Sequence, residues 1–231
     1  MHHNPKVIVI IPAYNEEHAI GNVIRDIPKE IVSEIIVANN NSKDKTRDSA
    51  IAAGAIVLDE KRQGYGYACL KGMDYVQSNA LNPDIIVFID GDYSDYPQQL
   101  PLLIQPIISN NIDMVIGSRA LGNRKRGSMT VPQIFGNWLA TRLIRLFYGV
   151  RYTDLGPFRA IKWTALLDMN MQDKTYGWTV EMQLKAAKNK LKVQEVPVDY
   201  RVRIGISKVS GTVKGTVMAG YKIITSIFKY L

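Results

Sequence analysis

The chain has 231 residues, of which 46% are hydrophobic and 22% charged, and this length suits one α/β domain with an ordinary core. Its single cysteine, Cys69, excludes an intramolecular disulfide and a cysteine-based zinc site. The net charge of +8 indicates either an anionic partner or a basic soluble surface. Because we find neither a secretory signal nor an apolar run of about 18 residues, we expect a cytoplasmic protein without a transmembrane helix.

Short apolar runs alternate with helical patterns through the first half of the chain. The predicted strands cover residues 6–11, 33–38, 55–58, 84–89 and 114–118, and the predicted helices cover 16–27, 42–53, 64–78 and 97–110. This alternation predicts an α/β fold with a mostly parallel central sheet flanked by helices. Ligands of such sheets bind at the carboxyl ends of the strands, where polar clusters stand at 14–16, 39–41 and 90–92.

The second half of the chain is less regular. A basic loop at 122–130 precedes a predicted helix over 132–148, and a turn follows at 153–159. We then predict a helix over 179–189, a strand over 192–198 and a C-terminal helix over 213–231. Lysines lie on one face of this last helix and apolar residues on another, so it either packs on the domain or lies on a membrane surface.

Two carboxylates flank a glycine directly after the apolar run DIIVFI, in Asp90-Gly91-Asp92. Carboxylate oxygens suit a divalent cation, Mg²⁺ or Mn²⁺, that bridges a diphosphate and neutralises charge on a departing nucleoside diphosphate. Gly91 would let the phosphates approach closely. The alternative is a polar turn after a strand. Asp95 would either cap the helix predicted at 97 or support the cation site.

Several segments resemble the motifs of family-2 glycosyltransferases, which have the GT-A fold. They are VIIPAYNEE (9–17), IIVANNNSKDKT (35–46), VFIDGDYSDYP (87–97), RQGYGYACLKG (62–72), GSR (117–119), TDLGPFRA (153–160), EVPVDYRVR (195–203) and GISK (205–208). Their order resembles the dolichyl- or polyprenyl-phosphate sugar synthase branch. The resemblance implies one GT-A domain over 1–231, with a Rossmann-like nucleotide-sugar-binding half (1–120), an acceptor-side half (121–211) and an amphipathic C-terminal helix (212–231).

The resemblance implies a donor site for a nucleoside-diphosphate sugar. The implied donor-binding positions are Pro12, Ala13, Tyr14, Glu16, Asn39, Asn40, Gly64, Asp90, Gly91 and Lys208. Asn39 and Asn40 stand where the family usually has two aspartates. An asparagine both donates and accepts hydrogen bonds, so the preferred base stays open. Both asparagines would also serve as caps of the following helix.

Three residues are implied in the chemical step. Asp92, with Asp90, would hold the cation, and Arg203 would bind the diphosphate. Glu181 stands near the position where many inverting members have a catalytic base. A hydroxyl acceptor needs such a base, whereas an ionised phosphate does not. Otherwise Glu181 would be a first-turn acid favoured by the helix dipole.

The resemblance also implies residues on the acceptor side. They are Arg119, Arg126, Asp154, Arg159 and Trp178. Guanidinium groups suit phosphate, although each arginine would equally be a solvated charge. Asp154 would otherwise form a turn, and Trp178 would otherwise lie in the core. The helix over 132–148 lacks the arginine that this branch commonly has at its start.

We therefore expect an inverting hexosyltransferase that moves a sugar from a nucleoside-diphosphate sugar to polyprenyl (dolichyl) phosphate, peripherally on the cytoplasmic face of a membrane. A glycan or small-molecule hydroxyl is the alternative acceptor. The charge also favours a nucleic-acid-binding module, but no basic stripe with interleaved aromatics supports it, so we expect no nucleic acid. A pyrophosphorylase or a dehydrogenase would need a glycine-rich loop after the first strand, and PAYNEE is not one. The sugar and the oligomeric state stay open.

Overall fold

The structure is a computed structural model that describes residues 5–205 and 213–231. The strands of this described part are β1 (Val7–Ala13), β2 (Glu34–Asn39), β3 (Ile56–Asp59), β4 (Ile85–Phe88), β5 (Met114–Ser118), β6 (Arg159–Lys162) and β7 (Val193–Pro197). Its helices are α1 (Ile20–Asp26), α2 (Thr46–Ala52), α3 (Tyr65–Ser78), α4 (Leu100–Asn110), α5 (Val131–Tyr148), α6 (Trp163–Asp168), α7 (Trp178–Lys188) and α8 (Val213–Lys229). A 3-10 turn, Pro97–Gln99, precedes α4. No helix among these residues is both long and apolar enough to cross a bilayer.

The strands of the described residues form one sheet in the order β3-β2-β1-β4-β6-β5-β7. β1 pairs in parallel with β2 and β4, β2 with β3, and β5 with β7. β6 lies between β4 and β5 and is antiparallel to both. The predicted α/β fold with a mostly parallel sheet flanked by helices is therefore confirmed.

β1 is buried at every position because its apolar side chains meet helices on both faces of the sheet. Ile8 and Ile10 belong to a core layer shared with α3, α5, α7 and α8. Val9 and Ile11 belong to a second layer shared with α1 and α4. Full burial of one such side chain contributes on the order of 2 kcal/mol. The two packed layers thus hold the sheet rigidly, and with it the residues at its edge.

The strand register aligns the carboxyl ends of the central strands. Ala13 of β1 is paired with Asn39 of β2, and Ile10 is paired with Phe88 of β4. The loops that follow β1, β2 and β4 therefore begin side by side at one edge of the sheet. The three polar clusters predicted from the sequence lie in these loops, except that Asn39 is the last residue of β2.

The first two helices begin later than predicted, at Ile20 and Thr46. Asn15 and Asn41 adopt left-handed backbone conformations, with φ of 53° and 61°. The loop after β1 is bonded to the start of α2, since the Glu16 amide donates to Thr46 Oγ1 over 2.7 Å. The residues after β1 thus form a fixed loop before α1 starts.

Residues 159–168 differ most from the sequence prediction, because they form β6 and α6. The strand sequence Arg-Ala-Ile-Lys has neither a continuous apolar run nor strict alternation. β6 forms because its backbone pairs with β4 on one side and with β5 on the other. Tertiary pairing therefore outweighs the local pattern here.

Candidate active site

A cavity of about 520 Å³ opens at the carboxyl ends of β1, β2 and β4, and we call it the donor cavity. The predicted residues that line it are Pro12, Ala13, Tyr14, Glu16, Asn40, Gly64, Asp90, Gly91, Asp92 and Arg203. Residues from both ends of the chain thus meet in one concave site, where α/β sheets bind their ligands. Lys208 lies outside the described residues, so its predicted role stays a prediction.

Asp90 and Asp92 follow β4 and face the donor cavity. The Tyr65 hydroxyl donates to Asp90 Oδ1 over 2.9 Å, and the Ser94 amide donates to Asp92 Oδ1 over 2.9 Å. Burial and the nearby charge of Asp92 raise the pKa of Asp90 to about 7. The two carboxylates are therefore crowded in a buried place where a cation would relieve their repulsion.

This pair of carboxylates fits a divalent cation that is shared with a ligand. Both residues offer hard oxygen atoms, which Mg²⁺ and Mn²⁺ prefer. In residues 5–205 and 213–231 no group of three or more His, Cys, Asp or Glu side chains is arranged to hold a metal. Asp90 and Asp92 would thus supply part of a coordination sphere, and diphosphate oxygens suit the rest.

Arg203 bridges the loops that follow β1 and β4. Its Nη1 lies 2.9 Å from Asp92 Oδ2, and its Nη2 lies 2.6 Å from Glu16 Oε1. The Ile204 amide also donates to the Asp92 carbonyl over 3.0 Å. The structure thus brings Arg203 to Asp92, and its guanidinium shields the Asp92 oxygen that faces it.

Asn39, the last residue of β2, and Asn40, which follows it, bind residues at and after the end of β3. Asn39 Nδ2 donates to Asp59 Oδ1 over 2.9 Å, and Asn40 Nδ2 donates to the Arg62 carbonyl over 2.7 Å. Asn40 Oδ1 also accepts from the Gly64 amide over 2.8 Å. Neither asparagine caps α2, whose start has no side-chain cap. Asn40 lines the donor cavity, whereas Asn39 does not.

Gly64 stands where α3 begins and has a φ of +154°. A Cβ there would lie 2.1 Å from the Lys174 carbonyl oxygen. At Gly66 a Cβ would lie 2.0 Å from the Asp173 carbonyl oxygen. Both glycines are therefore needed for the close approach of the 173–175 segment, which closes one side of the donor cavity through Thr175.

Arg119 and Asp154 form a bidentate ion pair. Arg119 Nε and Nη2 donate to Asp154 Oδ2 and Oδ1, each over 2.7 Å. Burial alone would raise the pKa of Asp154, but the charge and hydrogen bonds of Arg119 hold it below its usual value. Arg119 is thus already matched by a carboxylate, and we assign this pair to holding the turn at 153–156.

The remaining acceptor-side residues do not line the donor cavity. Arg159 is fully buried and donates to the backbone carbonyls of Leu155, Gly156 and Thr179. Trp178 is 1% exposed and meets Phe88 edge to face, with ring centroids 5.9 Å apart. We therefore correct their predicted acceptor role to a structural one. Arg126 is exposed in the loop before α5 and stays a prediction.

Glu181 is fully buried in α7. Its oxygens accept from the amides of Gln172 and Asp173 over 2.9 and 2.6 Å and from the Tyr230 hydroxyl over 2.6 Å. Lys185 Nζ lies 2.8 Å from the same carboxylate. Glu181 is occupied by four donors and is absent from the cavity lining, so we assign it to joining α7, the 172–173 segment and the end of α8.

Replacing Glu181 by glutamine is expected to lower the free energy of unfolding by about 1–3 kcal/mol, because buried donors lose a charged acceptor. The kcat/KM of the folded enzyme should change less than about twofold. Chemical denaturation and initial-rate assays measure the two quantities, with the exposed Glu30→Gln as control. A loss of activity much greater than the loss of folded protein would restore Glu181 as a base.

Asp95 is 1% exposed, and neither of its carboxylate oxygens has a hydrogen-bond partner among the described residues. Burial, followed by the charge of Asp90, raises its pKa well above the usual value. The residue at the cap position of the 3-10 turn is Tyr96, so the predicted capping role of Asp95 is not seen. Asp95 belongs instead to the buried polar layer behind Asp90 and Asp92.

Sequence reasoning missed two tyrosines of the cavity wall, Tyr65 and Tyr176. Tyr65 orients Asp90 through its hydroxyl, and Tyr176 is 38% exposed beside the opening. Tyr65 lies in the segment RQGYGYACLKG, but its residue type alone does not distinguish a core aromatic from a hydroxyl that donates a hydrogen bond to a carboxylate. The motif therefore marked the segment, but the sequence did not show that the Tyr65 hydroxyl would bind Asp90.

Residues 8–168 match the sequence profile of the family described as glycosyl transferase family 2. The chain belongs to this family. That assignment agrees with the cavity, because the segments that resemble the family's motifs bring their polar residues to one edge of the sheet.

Among similar curated proteins, the dolichyl-phosphate hexose transferase of Haloferax volcanii is 31% identical over 87% of this chain and 85% of that protein. The UDP-N-acetylglucosamine–dolichyl-phosphate N-acetylglucosaminyltransferase of Methanococcus voltae is 29% identical over 94% of this chain and 92% of that protein. The low-salt glycan biosynthesis hexosyltransferase Agl6 of Haloferax volcanii is 31% identical over 87% of this chain. The chain spans 49% of the length of Agl6.

Solved structures with the same fold include the glucosyl-3-phosphoglycerate synthase of Mycobacterium tuberculosis in complex with Mn²⁺, UDP and glucosyl-3-phosphoglycerate. The superposition has a TM-score of 0.76 at 22% identity and covers 98% of this chain and 80% of that one. The predicted GT-A fold is confirmed by this likeness.

Proposed function

We propose that the chain is an inverting glycosyltransferase that moves a sugar from a nucleoside-diphosphate sugar to polyprenyl (dolichyl) phosphate with the help of Mg²⁺ or Mn²⁺. The observation that carries this proposal is the meeting of Asp90, Asp92 and Arg203 in one cavity at the carboxyl edge of the sheet. Two relatives named as dolichyl-phosphate transferases, each matched over most of its length, support the acceptor.

The donor cavity provides what a diphosphate needs. A divalent cation at Asp90 and Asp92 would neutralise negative charge on the departing nucleoside diphosphate. The Arg203 guanidinium suits the same diphosphate oxygens, because its parallel N–H groups match them in spacing and charge. A glycosyltransferase of the same fold that binds Mn²⁺ and UDP supports this assignment.

The proposed acceptor needs no proton abstraction. A phosphate oxygen is already ionised near neutral pH, so it attacks the anomeric carbon directly while the bond from that carbon to the diphosphate breaks. Attack from the face opposite the leaving diphosphate inverts the configuration. The engagement of Glu181 by four donors in the core supports this choice over a hydroxyl acceptor, which would require a base.

A direct test compares two acceptors that differ only in the phosphate. The purified chain is incubated with UDP- and GDP-sugars, Mg²⁺ or Mn²⁺, and either polyprenyl phosphate or the matching polyprenol in detergent. We expect sugar transfer to the phosphate alone, with the anomeric configuration opposite to that of the donor by NMR. Equal transfer to the polyprenol would reject the phosphate acceptor, and retained configuration would reject inversion.

A further inference from the structure

A second cavity, of about 290 Å³, lies between α5, the loop before it and residues 151–154. It shares no lining residue with the donor cavity. Four of its lining residues are arginines, namely Arg124, Arg142, Arg145 and Arg151. We call this site the arginine cavity. Arg142 and Arg145 stand three residues apart in α5, so they share one face of that helix.

The arginine cavity carries positive charge that the protein does not neutralise. Within residues 5–205 and 213–231 none of its four arginines forms an ion pair with a carboxylate. Asp154 also lines the cavity, but it is held by Arg119. Guanidinium groups that converge without a counter-charge repel one another, and a phosphate group suits them because it accepts paired N–H donors.

An exposed apolar surface adjoins the arginine cavity. On α5 it contains Phe135, Trp138, Leu146 and Phe147, and on α8 it contains Phe228, followed by Leu231. These six residues form what we call the α5–α8 face. The two helices pack together, with the rings of Phe147 and Phe228 5.2 Å apart. Trp138 belongs to both the cavity and the face, so the two are continuous.

The charge of these helices indicates what covers the face. α5 has 18 residues and α8 has 17, and neither contains an aspartate or a glutamate. Both carry arginine or lysine beside exposed aromatic and aliphatic residues. Apolar side chains flanked only by cations are the composition of helices that lie on anionic bilayers. A protein partner would not require the absence of acidic residues across both helices.

We propose that the α5–α8 face lies on a bilayer of anionic phospholipids and that the arginine cavity binds the phosphate of a lipid headgroup. The apolar side chains would enter the boundary between headgroups and acyl chains, while the arginines reach phosphate from the same depth. This inference concerns a surface apart from the donor cavity, because the arginine cavity and the donor cavity are lined by different residues.

Vesicle flotation tests the headgroup site. We expect the full chain to bind vesicles that contain phosphatidylglycerol and to bind pure phosphatidylcholine vesicles at least tenfold more weakly. Arg142→Gln combined with Arg145→Gln should weaken binding to anionic vesicles about 25-fold, at about fivefold for each charge. The charge-matched control is Arg25→Gln combined with Lys45→Gln. Arg25 lies on α1, on the opposite face of the sheet, and both residues are exposed.

Tryptophan fluorescence reports where the membrane contacts the chain. Trp138 is 52% exposed, whereas Trp163 and Trp178 are 6% and 1% exposed. Anionic vesicles should therefore shift the emission to shorter wavelength, and Trp138→Phe should abolish that shift. Binding of UDP or GDP with Mn²⁺, measured by thermal shift, should be the same in all these variants. Loss of membrane binding can therefore be distinguished from loss of the proposed donor site.

Three results would overturn the proposal. The first is no binding to anionic vesicles by the wild-type chain. The second is equal weakening by the cavity and control double variants, which would indicate attraction by net charge alone. The third is a dimer in solution by light scattering that buries Trp138 without lipid, which would make a second copy the occupant of the face. Competition by millimolar inorganic phosphate that leaves the apolar insertion intact would support the cavity as the phosphate site.

Discussion

Replacing Asp92 by asparagine is expected to reduce sugar transfer by roughly a thousandfold, which corresponds to about 4 kcal/mol of transition-state stabilisation. The substitution removes one charge of the carboxylate pair and keeps its shape. A divalent cation supplies several kcal/mol of charge stabilisation to a leaving diphosphate, and this carboxylate would hold it. The stabilisation of the fold by a nucleotide with Mn²⁺ should disappear as well.

The control for this prediction is Asp74→Asn, an exposed change of the same kind on α3. Asparagine at position 92 can still accept from the Ser94 amide, so the variant should fold with an unfolding midpoint close to that of the wild type. Initial rates and thermal shifts with and without Mn²⁺ measure the effect. Metal-dependent turnover near the wild-type rate in Asp92→Asn would remove Asp92 from the reaction.

The position of the site was predictable from the sequence because it depends on the order of strands and on little else. β5 has the predicted bounds, and β1, β2, β3 and β4 lie within two residues of theirs, since their apolar runs are continuous. Parallel strands end at one edge of a sheet, so polar residues after β1, β2 and β4 had to meet there. Asp90 and Asp92 are accordingly in the donor cavity.

The roles of individual side chains were less predictable, because a motif gives the type of a residue but not whether its side chain is buried or exposed. Glu181 and Arg159 have the chemistry of a base and of a phosphate ligand, yet both are fully buried and bonded within the protein. The same limit concealed the arginine cavity. Arg142 and Arg145 come together with Arg151 only through the packing of the segment after α5.

Replacing Arg203 by glutamine is expected to change metal binding and catalysis in opposite directions. In the structure Arg203 Nη1 lies 2.9 Å from Asp92 Oδ2, so a guanidinium and a divalent cation would compete for one oxygen. Loss of the guanidinium should tighten Mn²⁺ binding without nucleotide about fivefold, since a partly exposed ion pair contributes on the order of 1 kcal/mol. Transfer should fall about a hundredfold, because a donor to the leaving diphosphate is lost.

Electron paramagnetic resonance of free Mn²⁺ measures the first effect, and initial rates at saturating Mn²⁺ measure the second. Arg201→Gln is the matched control, because Arg201 lies in the same segment but packs on the rings of Tyr93 and Tyr96. It should leave Mn²⁺ affinity unchanged. If Arg203→Gln weakened Mn²⁺ binding without nucleotide, the guanidinium would be supporting Asp92 as a ligand. If both effects appeared with the expected signs, Arg203 would exchange Asp92 for the diphosphate when the donor and its cation bind.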